Sequence, residues 1–180
     1  MPNPILPKKR HGCVPLCGWF CNLAPNSEIM YIGLLHLHSA LRYVVLILLI
    51  VAIVRAITGY VQRKNFTNTD NTVGLFLLAS THLQALLGLI LYVISPLMAP
   101  IFADFGGSMK NPDLRFWAVE HIAAMLIAVV LITVGRVKSK KALDPLVKHK
   151  HAAVFFSIAF ILIMGMIPWA KRGFYVMMGE

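Results

Sequence analysis

Residues 43–54 read YVVLILLIVAIV, an unbroken apolar run. Read outward from it, apolar character extends from about Tyr31 to Gly59, interrupted by only a few polar side chains such as His36, His38, Arg42 and Arg55. At a rise of about 1.5 Å per residue, a helix of that length exceeds the roughly 30 Å of a bilayer's hydrocarbon core. Apolar residues do not alternate with polar ones, so a transmembrane β-barrel is excluded.

Three more stretches of this kind follow, over about residues 73–97, 114–135 and 146–169. The whole chain is 58% hydrophobic and only 13% charged, with a mean hydropathy of +0.74. Soluble domains are nearer 25% charged. The composition excludes a disordered chain, most soluble enzymes and an ordinary nucleic-acid module, and nucleic acid is not an expected partner. The expected fold is all-α: an integral membrane, up-down four-helix bundle occupying residues 30–180. Asp144 and Pro145 suit the N-cap and first turn of the last helix. Pro168 closes it, with Trp169, Lys171 and Arg172 as interfacial anchors. The link 98–113 is longer and rich in Gly and Pro.

Residues 1–29 differ in character. They contain Pro2, Pro4, Pro7, Pro15 and Pro25, the basic run Lys8-Lys9-Arg10, and no secretory signal pattern. They read as a poorly structured extension, either disordered or the product of a mis-assigned start. Cys13, Cys17 and Cys21 all fall within it, an odd number that builds no disulfide framework.

The chain carries 17 Lys and Arg against 7 Asp and Glu. Arg55, Arg63, Lys64, Arg136, Lys138, Lys140, Lys141, Lys148 and Lys150 flank the first and third connections; Lys110, Arg115, Lys171 and Arg172 flank the other side. Nine basic residues against four place the first and third connections on the cytoplasmic side of the membrane. Including Lys8, Lys9 and Arg10 narrows the bias to nine against seven.

An ionisable residue inside a span marks a candidate functional site. Each span contributes at least one histidine: His36 and His38, His82, His121, and His149 with His151. His38 and His121 each lie about 10 Å inside their spans from the same side. On diagonal helices they could grip the two faces of a haem iron as axial ligands. His82 and His151, about 21 and 25 Å from that side, form a second diagonal pair and a candidate second haem site. His149 and His151 read equally well as a solvated polar cap. His36 is the alternative ligand if the first helix is rotated. Arg42, one turn beyond His38, needs an anion, for which a haem propionate and Glu120 are the candidates. Ser39, Thr81 and Gln84 are candidates for fixing imidazole tautomers. The small residues Gly33, Gly74, Gly88, Ala123 and Ala124 make room for a macrocycle or for close helix packing. There is no C-x-x-C-H, P-loop, G-x-S-x-G or H-E-x-x-H motif.

The runs LLHLHSALRY (34–43), THLQALLG (81–88) and RFWAVEH (115–121) resemble the small four-span bacterial membrane proteins described as cytochrome b, over residues 30–170. A weaker similarity is to one four-helix half of haem A synthase. There His38 with Arg42, Gln84 with Gly88, and His121 would be the matching positions, with His38 and His121 as ligands. Only one such half is present, and His38 and Arg42 are four residues apart rather than adjacent, so haem A synthesis is not implied. The resemblance implies a b-type haem protein passing electrons, with haem b as cofactor and a quinone or a respiratory-complex subunit as partner beside membrane lipid. As an enzyme it would be at most an electron-transfer subunit. The alternatives are a haem-free membrane scaffold or assembly factor, and a membrane protein that handles transition metals.

Overall fold

The computed structural model describes residues 24–167. Expectations for the proline-rich extension and its cysteines therefore lie almost wholly outside the described residues, as do Pro168, Trp169, Lys171 and Arg172. The described chain is helical, in the order α1 (Ala24–Val61), α2 (Asn68–Ile94), the short helices α3 (Met98–Ala103), α4 (Phe105–Lys110) and α5 (Pro112–Arg115), a π-helical turn (Phe116–Glu120), α6 (His121–Lys141) and α7 (Pro145–Met166). Four helical stretches, 29–61, 68–94, 112–141 and 145–166, are long and apolar enough to cross a membrane.

The helix ends differ from the hydropathy limits for local reasons. The first helix begins at Ala24, seven residues before Tyr31 and inside the stretch read as an extension. The second begins at Asn68 rather than near residue 73, because Thr67 and Asp70 form a capping box: the Asp70 carboxylate accepts from the Thr67 amide at 2.8 Å, and the Thr67 hydroxyl accepts from the Asp70 amide at 3.4 Å. It stops at Ile94, because Pro96 disfavours helical geometry at Ser95, which is extended. The third continues through Gly135 to Lys141; Lys138, Lys140 and Lys141 in its last turn complement the negative end of the helix dipole. Asp144 caps α7 by accepting from the Leu146 amide at 3.0 Å, with Pro145 in the first turn, as the sequence suggests.

The long helices form an antiparallel ring. Helix α1 packs against α2 and α7, and α6 packs against the same two, so α1/α6 and α2/α7 are the diagonals. The middle of the bundle is an apolar core in which Leu49, Leu77, Ile132 and Ala159 are fully buried, with Val45, Ala128, Ala152 and Phe156 around them. Large apolar side chains such as Ile47, Val54, Phe76, Val130 and Ile161 point outward and are exposed. So broad an apolar exterior suits lipid rather than water. The protein is a multi-pass membrane protein.

The two ends of the bundle are built differently. At one, the hairpin end, short turns join α1 to α2 and α6 to α7. Arg63 there adopts a left-handed conformation (φ 51°), and the Lys64 amide bonds the Gly59 carbonyl at 2.9 Å. At the other, the cap end, the link expected as an irregular loop folds into α3, α4 and α5. Met98 and Ile101 bury themselves there against Ala118, Tyr92 and Trp117.

Candidate functional site

The apolar core separates two polar clusters. The cap-end cluster contains His38 and His121, half-buried on the diagonal helices α1 and α6. The two imidazoles lie within electrostatic range of one another, and the Arg42 guanidinium lies within range of both. The pair that matched depth singles out thus lies at one end of the bundle.

Each ring is seated by its neighbours. His38 lies over Gly88 of α2, where an added methyl would stand 3.1 Å from its Cε1 atom. Gly88 is therefore the position at which a bare backbone lets the ring approach. One turn earlier on α2, Gln84 Nε2 donates to the His38 carbonyl at 2.9 Å, pinning α1 to α2 at this height. The His38 ring lies near the main chain of Gln84, and the His121 ring near that of Met166 on α7. The Nδ1 atom of each ring is buried and has no partner within the protein. In His38 this nitrogen lies on the α2 side, 3.7 Å from where a methyl on Gly88 would stand.

His121 is aimed by a device that hydropathy does not reveal. The residues before it, Phe116–Glu120, form a π turn closed by the His121 amide bonding the Phe116 carbonyl five residues back. One extra residue in a helical turn rotates everything beyond it by about 100°. The Tyr92 hydroxyl donates to the Ala118 carbonyl inside that turn at 2.9 Å. The Phe116 and Trp117 rings pack on the His121 ring, with centroids 5.9 and 5.6 Å away.

The Arg42–Glu120 ion pair considered from sequence does not form. Glu120 pairs with Arg115 at 2.7 Å, five residues before it across the π turn. Arg42 instead contacts the neighbouring Tyr43, with its guanidinium 5.0 Å from the ring centroid and 3.4 Å from the hydroxyl. Among the described residues, no carboxylate pairs with it.

The other candidates are not brought to this place. His36 is exposed on α1. His82 is exposed on α2, its Nδ1 atom 2.8 Å from the Leu78 carbonyl. His151 is half-buried beside Lys138, Lys141 and Asp144 at the α6–α7 turn. His82 therefore faces outward while His151 faces that turn, and the two do not form an interior pair. Thr81 is buried with an unpartnered hydroxyl, and the Ser80 hydroxyl is spent on the Leu77 carbonyl at 3.1 Å.

The hairpin-end cluster escapes a reading based on histidine depth. Arg55 of α1 pairs with Asp70 of α2 at 2.7 Å, and Arg136 of α6 donates through Nη2 to the side-chain and main-chain oxygens of Asn71 at 2.6 and 3.2 Å. His149, expected in part as a solvated cap, is instead buried against Gly59 and Phe66. The legible signal was the pair Gly59 and Gly74, two glycines facing bulky polar residues from neighbouring helices.

Among the described residues, no group of three or more His, Cys, Asp or Glu side chains is assembled as a metal shell. The sequence matches no protein-family model, no curated protein and no solved structure.

Proposed function

We propose that this protein binds one haem b at the cap end, with His38 and His121 as axial ligands, and carries electrons between a membrane quinone or respiratory-complex subunit and a second partner. The observation that carries this reading is the placement of two half-buried imidazoles on diagonal helices at one end of the bundle, within electrostatic range of one another and of Arg42. Two imidazoles are too few for a structural zinc site, which takes four protein ligands. Haem brings four nitrogens of its own and needs only the axial two. Bound haem supplies one-electron chemistry whose potential is set by its ligands and burial.

The chain's own residues have separable parts in this reading. Gln84 and the main chain of Met166 orient the imidazoles, and Gly88 gives His38 its seat. Arg42 offers a cation to a propionate. Phe116, Trp117 and the α3–α5 cap keep water from the site. His82 lies on the exterior, so the proposal is confined to one haem.

The test is direct. Protein purified from haem-sufficient cells is expected to be coloured, with a b-type α-band in its reduced-minus-oxidised spectrum and equimolar haem by extraction. A colourless, folded protein overturns the reading and leaves the haem-free scaffold.

We further propose that the hairpin end faces the cytoplasm of a bacterial inner membrane. The support is its concentration of Arg63, Lys64, Lys138, Lys140, Lys141, Lys148 and Lys150. In a chain with its native cysteines replaced, Lys110→Cys is expected to react with an impermeant maleimide from outside intact cells. Lys140→Cys should react only after permeabilisation. The opposite pattern reverses the orientation.

A further inference from the structure

The hairpin-end cluster lines a partly open chamber that the haem reading does not use. Arg136 (6% exposed), Ser139 (2%) and His149 (2%) line a cavity of about 20 Å³ together with Arg55, Asp70 and Phe66. Two glycines make the space for its bulkiest walls. A methyl on Gly59 would stand 2.5 Å from both ring nitrogens of His149, and one on Gly74 would stand 3.0 Å from Cδ and 3.2 Å from Nε of Arg136. Both side chains are thus seated on bare helix backbone.

The polar lining carries more cationic than anionic charge. Asp70 is its only carboxylate, and it is already held by Arg55 at 2.7 Å and by the Thr67 hydroxyl at 2.6 Å. Arg136 spends one nitrogen on Asn71, and among the described residues no acid pairs with it. The Ser139 hydroxyl and both ring nitrogens of His149 have no partner within the protein. Two guanidinium groups against one carboxylate leave a single positive charge. A buried cation without a counter-charge is strongly unfavourable, and unpartnered buried polar groups add to the cost.

We propose that this chamber binds one small monovalent anion of halide size, chloride being the ordinary candidate, held by Arg136, Ser139 and His149. One net positive charge calls for one negative charge. The cavity admits roughly one water-sized body, which excludes a lipid phosphate or a quinone ring. Phe66, from the α1–α2 turn, packs on the His149 ring at 5.1 Å between centroids and closes the chamber on that side.

The test uses full-length protein in detergent, exchanged into sodium gluconate and titrated with sodium chloride or bromide at constant ionic strength. Binding to the folded state should raise Tm saturably for both halides but not for added gluconate. Chloride NMR lines should broaden and be sharpened by competing bromide. Ser139→Ala removes one donor and little volume, so it should fold and bind halide about tenfold or more weakly. Tm independent of anion identity in the unmodified protein would mean that the chamber holds water only and would overturn the proposal. So would Ser139→Ala with unchanged halide affinity. Neither result depends on whether haem is bound at the other end.

Discussion

Replacing either His38 or His121 with alanine is expected to abolish the low-spin haem spectrum of the purified protein. The haem-to-chain ratio should fall by well over about tenfold, since even partners that only orient a ligand are worth about 10–100-fold in metal affinity. Each variant leaves a single imidazole, so the iron becomes five-coordinate or the cofactor is lost. The controls come from the same chemistry placed elsewhere. His36 and His82 are exposed, and His151 sits at the α6–α7 turn, away from the pair. His36→Ala, His82→Ala and His151→Ala should all keep the parent spectrum. Loss of colour in His36→Ala alone would mean that α1 presents a different face to the cofactor. A parent spectrum in both His38→Ala and His121→Ala would remove the proposed site.

Gly135→Val should be strongly destabilising. Helices α6 and α7 make the most extensive pairing in the bundle, and at Gly135 an added Cβ would meet Phe155 Cβ at 2.6 Å and Phe156 Cε1 at 3.1 Å. The Phe155 Cβ atom is fixed to the backbone and cannot swing aside, so the helices themselves must separate. Overpacking of this kind costs about 3 kcal/mol, more than any helix-propensity gain from replacing glycine returns. Gly33 and Gly165 provide the contrast, because nothing lies within 4 Å of a methyl added at either. Gly33→Ala and Gly165→Ala should be neutral or slightly stabilising. Unfolding midpoints in mixed detergent micelles, titrated with SDS, measure all three. Equal midpoints for Gly135→Val and the parent would contradict the close packing.

The two predictions mark different degrees of legibility. His38 and His121 could be paired from the chain alone because helical rise converts sequence position into depth, and both lie at one depth from one end. The same arithmetic paired His82 with His151 and missed that His82 faces outward. Depth is one coordinate; the rotation of a helix about its axis is another, and a segment apolar on all sides carries little information about it. Gly135 read as a span end because glycine and a following basic run usually punctuate a helix. Only its contact with Phe155 shows that it serves packing instead.

What the sequence by itself determined is the number of spans, the up-down topology and the last helix's start at Asp144-Pro145. Each of these follows from local quantities: hydropathy summed over one span, the length of a connection, or one cap. What only the tertiary structure decided is which polar groups meet. The π turn at Phe116–Glu120 set the direction of His121, and Arg115 took Glu120 away from Arg42. Glycines at positions 59 and 74 admitted His149 and Arg136 to a common chamber. These outcomes depend on helix rotation and on distances of a few ångströms between segments far apart in the chain. Lipid solvates every face of an apolar helix about equally, so rotation is left to packing and hydrogen bonding with the neighbouring helices.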